Sequence, residues 1–123
     1  MKGEGRRAQR VAAALREYLS QALAREIGDP RLSSVVVTDV VVPDDLSIAR
    51  IGVRLLSGDD DPERRRATLR ALRGASSRIR RGVGPRLGLR RVPELEFSYD
   101  TGHDATRRVE ELLREIEDEK PKH

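Results

Sequence analysis

The chain has 123 residues, of which 37% are charged, 37% are hydrophobic and only 2% are aromatic. This length fits a single domain, and the absence of cysteine excludes disulfide scaffolds, thiolate zinc sites and cysteine nucleophiles. No uncharged apolar run approaches the roughly 18 residues of a membrane span. Since the charged N-terminus also lacks the apolar stretch of a signal peptide, we expect a cytoplasmic protein without a membrane partner.

Positive charge is concentrated in one part of the chain. Residues 64–91 contain eleven arginines and no acidic residue, whereas the formal net charge of the whole chain is only +4. Such a block repels itself in isolation, which favours a polyanionic partner over a solvated helix face neutralised by neighbouring acids. Because the planar guanidinium group suits phosphates, the pattern predicts binding to a nucleic acid.

The first half of the chain predicts a helix followed by a β-hairpin. Apolar residues recur at three- and four-residue steps over residues 6–27, and the Gly-Asp-Pro sequence at 28–30 is typical of a helix end. Residues 34–42 have the β-branched density of a strand, and residues 47–56 alternate between apolar and polar positions. Because the first strand lacks this alternation, we expect it to be the central strand.

The second half predicts further helices around a third strand. Residues 62–81 show helical periodicity, but adjacent glycine and serine residues are a source of kinks. We therefore expect two helices joined by an interhelical kink at Gly74, Ala75, Ser76 and Ser77. Glycines loosen the chain after residue 81, and the sequence leaves open whether 85–90 continues as helix. A strand over 94–100 and a last helix over about 102–117 follow.

This element order predicts an α+β fold with helices on one face of a three-stranded sheet. It matches the KH domain variant that begins with a helix (type II order), although the kink lacks the GXXG loop with which KH domains hold a nucleic-acid backbone. We predict a single KH-like RNA-binding domain over residues 1–117, with an additional C-terminal helix, and a frayed tail over 118–123.

The sequence shows no catalytic constellation. His103 stands beside Asp104 without a partnered nucleophile or oxyanion device, and His123 is the last residue. The three consecutive acids Asp59–Asp61 rarely converge on one cation, and the glycines after residue 81 give no phosphate-binding fingerprint. We therefore expect a non-enzymatic protein with no metal and no cofactor.

Backbone recognition by arginines is the mode of RNA binding that the sequence favours. Stacking of bases is disfavoured because Phe97 and Tyr99 lie on the apolar side of their strand. For Arg64–Arg66, RNA contacts and pairing with Asp59–Asp61 are equally compatible with the pattern. The candidate RNA-binding residues are Arg6, Arg7, Arg10, Arg78, Arg80, Arg81, Arg86, Arg90 and Arg91.

Two other classes of protein stay open at this point. A DNA-binding regulator would use the two helices around residue 74 as a helix-turn-helix, although this block lacks the Asn and Gln residues that read bases. An interaction module for an acidic protein is the other, and nuclease-treated pull-downs would separate it from RNA binding.

Five segments resemble the ribosome-binding factor A family, in order, from about residue 6 to about residue 115. They are RAQRV at 7–11, REIGDPRL at 25–32, DLSIA at 45–49, LRGASSRIR at 72–80 and LRRVPELEFSYD at 89–100. The resemblance implies a KH-like domain in which an Ala-x-Gly kink replaces the GXXG loop. Ala75 and Ser76 match its first two positions, and Ser77 stands where the family has glycine.

The same resemblance implies a function. Members of this family are bacterial assembly factors that bind the immature 30S ribosomal subunit at 16S rRNA, act in late maturation and 5′-end processing of 16S rRNA, and are linked to growth in the cold. The expected partners are therefore the 30S subunit, its 16S rRNA and ribosomal proteins, with the chain itself a monomer.

Overall fold

The computed structural model describes residues 2–25, 29–57 and 61–101, together with the single positions Leu113 and Ile116. The elements are helix α1 (Lys2–Arg25), a short 3-10 turn (Pro30–Leu32), strands β1 (Val35–Val41) and β2 (Ile48–Leu55), helix α2 (Pro62–Leu87) and strand β3 (Glu94–Tyr99). In this part of the chain, neither helix combines the length and apolar character that crossing a bilayer requires. The predicted helix end at Gly28, the predicted helix over 102–117 and the tail over 118–123 lie outside the described residues, save Leu113 and Ile116.

The three strands form one mixed sheet in the order β1-β2-β3. β1 and β2 pair antiparallel, as predicted for the hairpin, whereas β3 pairs parallel with β2 after the chain has crossed over through α2. The α+β prediction is therefore confirmed, but β2 is the central strand and the prediction that β1 is central is wrong.

A β-bulge explains the misleading pattern of β1. Its register on β2 shifts between Val37 and Asp39, so one extra residue changes which side chains face the helices. Before the bulge Val37 is buried, and after it Val40 and Val42 pack against the core. The sequence pattern of β1 is therefore uneven because the bulge changes which alternate residues of this edge strand face the helices. It is not uneven because the strand is buried on both faces.

The core lies between the helices and one face of the sheet. The alternation predicted for β2 is confirmed, since Ala49, Ile51, Val53 and Leu55 are all buried. Phe97 of β3 is buried on the same side, and full burial of such a side chain contributes about 1.5–3 kcal/mol. The helices complete the core with Leu15, Leu19, Leu72, Ile79 and Val83.

Helix α2 is continuous from Pro62 to Leu87, so the predicted division into two helices at residues 74–77 is wrong. A glycine inside a helix costs about 1 kcal/mol, but Leu72, Ala75 and Ile79 are buried on either side of Gly74. Burial of this stripe outweighs the local preference for a break. The Ser76 hydroxyl remains within the helix, donating to the Leu72 carbonyl oxygen at 3.4 Å.

The helix also continues through the glycines after residue 81, where the sequence predicts a looser chain. Gly82 lies where α2 meets α1, and a Cβ atom there would overlap the Tyr18 hydroxyl. α2 ends where Gly88 caps it with a φ of 62°, a left-handed conformation that glycine adopts without steric cost. This turn leads the chain back towards β3.

Candidate nucleic-acid interface

Most of the candidate arginines come together where α2 ends. Three adjoining clefts of about 530, 540 and 610 Å³ share lining residues there. The first lies between the start of α1 and the end of α2, and the other two lie along the segment that joins α2 to β3. Seven of the candidates line these clefts, and we call them the arginine cluster: Arg7, Arg10, Arg80, Arg81, Arg86, Arg90 and Arg91.

The arginine cluster is not neutralised by carboxylates within the described residues. None of its members forms an ion pair there, whereas Arg31 pairs with Asp29 and Arg50 pairs with Glu96 elsewhere on the surface. The first two clefts have no acidic lining residue, and only the third includes the carboxylates of Asp45 and Glu94. Such a concentration of positive charge attracts anions, and the repulsion between its guanidinium groups is relieved when anions bind.

Arg80 differs from the rest of the cluster because its guanidinium group is engaged within the fold. The side chain is half-buried, its Nε donates to the Pro93 carbonyl oxygen at 3.1 Å, and its Nη2 donates to the Val92 carbonyl oxygen at 2.9 Å. These bonds fix the segment that carries Arg90 and Arg91 against α2. Arg80 therefore positions this segment, and its role as an RNA contact stays a prediction.

Arg86 is oriented by a ring of the other helix. Its guanidinium carbon lies 5.1 Å from the centroid of the Tyr18 ring, within the range of a cation–π contact. This contact holds the charge at the cleft that Arg7 and Arg10, from the N-terminal part of α1, also line.

Arg6 and Arg78 stand apart from the cluster. Arg6 is exposed on α1, and Arg78 lines a separate cleft of about 420 Å³ together with Arg70, Asp29 and Arg31. In that cleft the Arg31 side chain donates a 2.8 Å hydrogen bond to Asp29. The bond lowers the pKa of Asp29 and raises the pKa of Arg31 from their ordinary values, so part of the positive charge is already balanced.

The four residues of the expected kink have four different surroundings in α2. Gly74 and Ala75 both line the cleft of Arg78, but Gly74 is exposed whereas Ala75 is buried against the core. Ser76 is half-buried, and Ser77 is exposed beside Arg80 and Arg81. The residues therefore form no loop that grips a strand.

A second basic feature, which sequence reasoning missed, follows the exposed side of α2. Its members are four, three, four and four residues apart, a spacing that places side chains on one helix face. All five are exposed, and we call them the α2 ridge: Arg66, Arg70, Arg73, Ser77 and Arg81. This spacing is visible in the sequence. It was missed because the predicted division of the helix at Gly74 assigns the first three members and the last two to different helices.

The surroundings of Arg65 answer part of the question that the sequence leaves open for Arg64–Arg66. Its guanidinium carbon lies 4.7 Å from the centroid of the Tyr99 ring, so it is turned towards β3 while Arg66 faces outwards. Tyr99 is itself held in place, since its hydroxyl accepts a 3.0 Å hydrogen bond from the Leu55 amide. Asp59 and Asp60 lie outside the described residues.

Comparison with known proteins gives one consistent family. A family model described as "Ribosome-binding factor A" matches residues 7–113. Relatives of that name include one from Sorangium cellulosum, 52% identical over 118 residues (96% of this chain and 94% of the relative), and one from Geobacter sulfurreducens, 39% identical over 114 residues (93% and 94%).

Solved structures agree with these sequence relatives. The crystal structure of ribosome-binding factor A from Thermus thermophilus matches with a TM-score of 0.63 at 28% identity, covering 75% of this chain and 93% of that one. A homology model of the Thermus thermophilus factor, fitted into a cryo-EM map of a 30S complex, matches with a TM-score of 0.57 at 28% identity, covering 72% and 90%.

Proposed function

The chain belongs to the ribosome-binding factor A family, and from this premise we propose that it binds the immature 30S ribosomal subunit at 16S rRNA through its arginine cluster. The family consists of ribosome maturation factors and not of enzymes. In this role the chain acts in the cytoplasm as a monomeric, KH-like domain over residues 1–117. It supports late maturation and 5′-end processing of 16S rRNA.

The observation that carries this proposal is the arginine cluster itself. It combines the first helix, the end of α2 and the segment before β3 into one basic region. A homology model of a related factor has been fitted into a cryo-EM map of a 30S complex, which supports the small subunit as the source of the phosphates. Ribosomal proteins next to the bound rRNA are further partners in this proposal.

The chemistry of binding follows from the guanidinium groups. Each one that meets a phosphate forms charge-assisted hydrogen bonds, often two in parallel, and releases condensed counterions from the RNA. Arg80 contributes indirectly by holding Arg90 and Arg91 in place. Binding of this kind reads the position and shape of the RNA backbone more than its base sequence.

The helix-turn-helix alternative loses its structural basis. That motif needs two helices joined by a short turn, the second of which enters the major groove of DNA. Residues 62–87 form one helix with no turn at residue 74, so the pair of helices it requires is missing from this region.

Co-sedimentation with purified immature 30S subunits tests the proposal. We expect the wild-type chain to co-sediment and the cluster variant Arg81→Ala/Arg90→Ala/Arg91→Ala to lose about tenfold or more in affinity, since each lost phosphate contact weakens binding. The control variant Arg16→Ala/Arg25→Ala/Arg50→Ala removes the same charge from exposed positions outside the cluster and should bind like the wild type.

Three outcomes would contradict the proposal. The first is that the cluster variant binds immature 30S subunits as tightly as the control variant does. The second is that the wild-type chain fails to co-sediment with them. The third is that capture of the wild-type chain persists after nuclease has removed the rRNA. The last outcome would favour the interaction module for an acidic protein.

A further inference from the structure

The α2 ridge forms a long basic line on the side of α2 that faces away from the core. From Arg66 to Arg81 it extends over about 22 Å, because an α-helix rises about 1.5 Å per residue. Arg73 and Arg81 are eight residues apart and therefore differ by about 80° around the helix axis. The guanidinium groups thus fan out on both sides of the line while the Ser77 hydroxyl lies between them.

The ridge has none of the charge pairing of an ordinary solvated helix. Solvated helices commonly place opposite charges three or four residues apart, and like charges at this spacing repel each other. In α2 there is no acidic residue after Glu63, and none of the four ridge arginines forms an ion pair within the described residues. An anionic partner that runs along the helix would relieve this repulsion more fully than mobile counterions do.

The surface also lacks the features that recognise single-stranded RNA. Bases of a single strand stack on aromatic side chains, and α2 contains no aromatic residue. KH domains grip a single strand with a GXXG loop between two helices, whereas α2 passes through residues 74–77 without a break. The buried Tyr18 and Phe97 offer no ring to a strand on this surface.

Charge and shape are the properties by which proteins recognise double-stranded RNA. An A-form duplex presents phosphates and ribose 2′-hydroxyl groups along a wide, shallow minor groove. A helix about 10–12 Å across, with arginines fanned over one side and a hydroxyl among them, matches that surface. Resting on the proposed function, we infer that the α2 ridge binds the backbone of a double-helical segment of RNA, next to the contacts of the arginine cluster.

Fluorescence anisotropy with two RNA probes tests this inference. The probes are a duplex of about 20 base pairs, somewhat longer than a double-stranded RNA-binding domain covers, and an unstructured single strand of the same length. We expect the wild-type chain to bind the duplex about tenfold more tightly. In the ridge variant Arg66→Ala/Arg70→Ala/Arg73→Ala, duplex affinity should fall about tenfold and single-strand affinity about twofold at most.

Matched variants keep the test independent of folding. The control variant Arg16→Ala/Arg25→Ala/Arg50→Ala removes as much positive charge as the ridge variant and should retain the preference for the duplex. A second ridge variant, Arg66→Gln/Arg70→Gln/Arg73→Gln, keeps long polar side chains and should lose the preference like the alanine variant. Circular dichroism should give all of them the helix content of the wild type.

Several results would overturn the inference. Equal wild-type affinity for the two probes would do so, as would equal losses on both probes in the ridge variants. If the wild-type chain co-sediments with immature 30S subunits but shows no duplex preference, this inference fails while the proposed function stands. If the chain prefers the duplex but does not bind 30S subunits, the proposed function fails instead.

Discussion

The outer face of the sheet and the helical side of the molecule differ in how their charges are arranged. On the face of the sheet that is turned away from the helices, Arg50 lies opposite Glu96 in the β2–β3 register, and the two side chains form a 3.4 Å ion pair. On the helical side, the arginine cluster and the α2 ridge contain guanidinium groups without paired carboxylates in the described part of the chain. The distribution of charge, and not the net value of +4, is therefore the basis on which we propose the helical side as the RNA-binding surface.

The helical side also depends on close packing between α1 and α2. Gly82 is a point of close contact, because a side chain there would occupy the position of the Tyr18 hydroxyl. Gly74 lies on the same helix, but a Cβ atom there would have no neighbour within 4 Å. The two glycines offer a direct test of whether the interface is held together by this contact.

The largest expected effect on stability is that of Gly82→Ala. Overpacking at a tight contact costs about 1–3 kcal/mol, because the end of the Tyr18 ring must move to make room, and this cost is offset in part by the better helix propensity of alanine. Gly74→Ala should instead stabilise the chain by about 0.4–1 kcal/mol, because alanine favours the helix and restricts the unfolded chain. Urea unfolding of both variants measures the difference, and equal free energies of unfolding would show that α1 and α2 do not meet closely at Gly82.

A smaller effect is expected for Arg80→Ala. The change leaves the Val92 and Pro93 carbonyl oxygens without their donors, which costs about 1–2 kcal/mol for partly buried groups. On the other surface, Arg50→Ala removes an exposed ion pair and should cost at most about 1 kcal/mol. Urea unfolding of the two variants sharpens the contrast between a structural arginine and a surface one.

The same pair of variants also separates folding from binding. Arg80→Ala should weaken 30S binding, because the segment with Arg90 and Arg91 is no longer fixed, whereas Arg50→Ala should not. If Arg80→Ala unfolds at the wild-type urea concentration, the two hydrogen bonds do not contribute to stability. Arg80 would then be an ordinary member of the cluster.

Much of the fold was predictable because burial leaves a clear period in the sequence. The alternation of β2, the buried Phe97 of β3 and the apolar stripe of α2 are all confirmed by the structure. The bulge in β1 was not predictable, because the shift at Thr38 depends on pairing with β2. The continuity of α2 was missed because a local rule for glycine and serine was outweighed by packing at Ala75 and Ile79.

The candidate site was also predictable only where its features depend on residues that are close together in the sequence. The density of arginine over residues 64–91 identified five members of the cluster as candidates, whereas Arg7 and Arg10 join them only through the packing of α1 against α2. The role of Arg80 was hidden because its acceptors, Val92 and Pro93, are 12 and 13 residues further along the chain. The α2 ridge was hidden because its helical spacing extends past the expected break at Gly74.

The salt dependence of binding to immature 30S subunits shows whether the arginine cluster meets the rRNA phosphates. For the cluster variant, the slope of log affinity against log salt should be smaller than the wild-type slope by about 2–3, since each lost phosphate contact removes about 0.7–0.9. The control variant should keep the wild-type slope. Identical slopes for all three proteins would contradict the account, because the arginine cluster would then not be the surface that meets the rRNA phosphates.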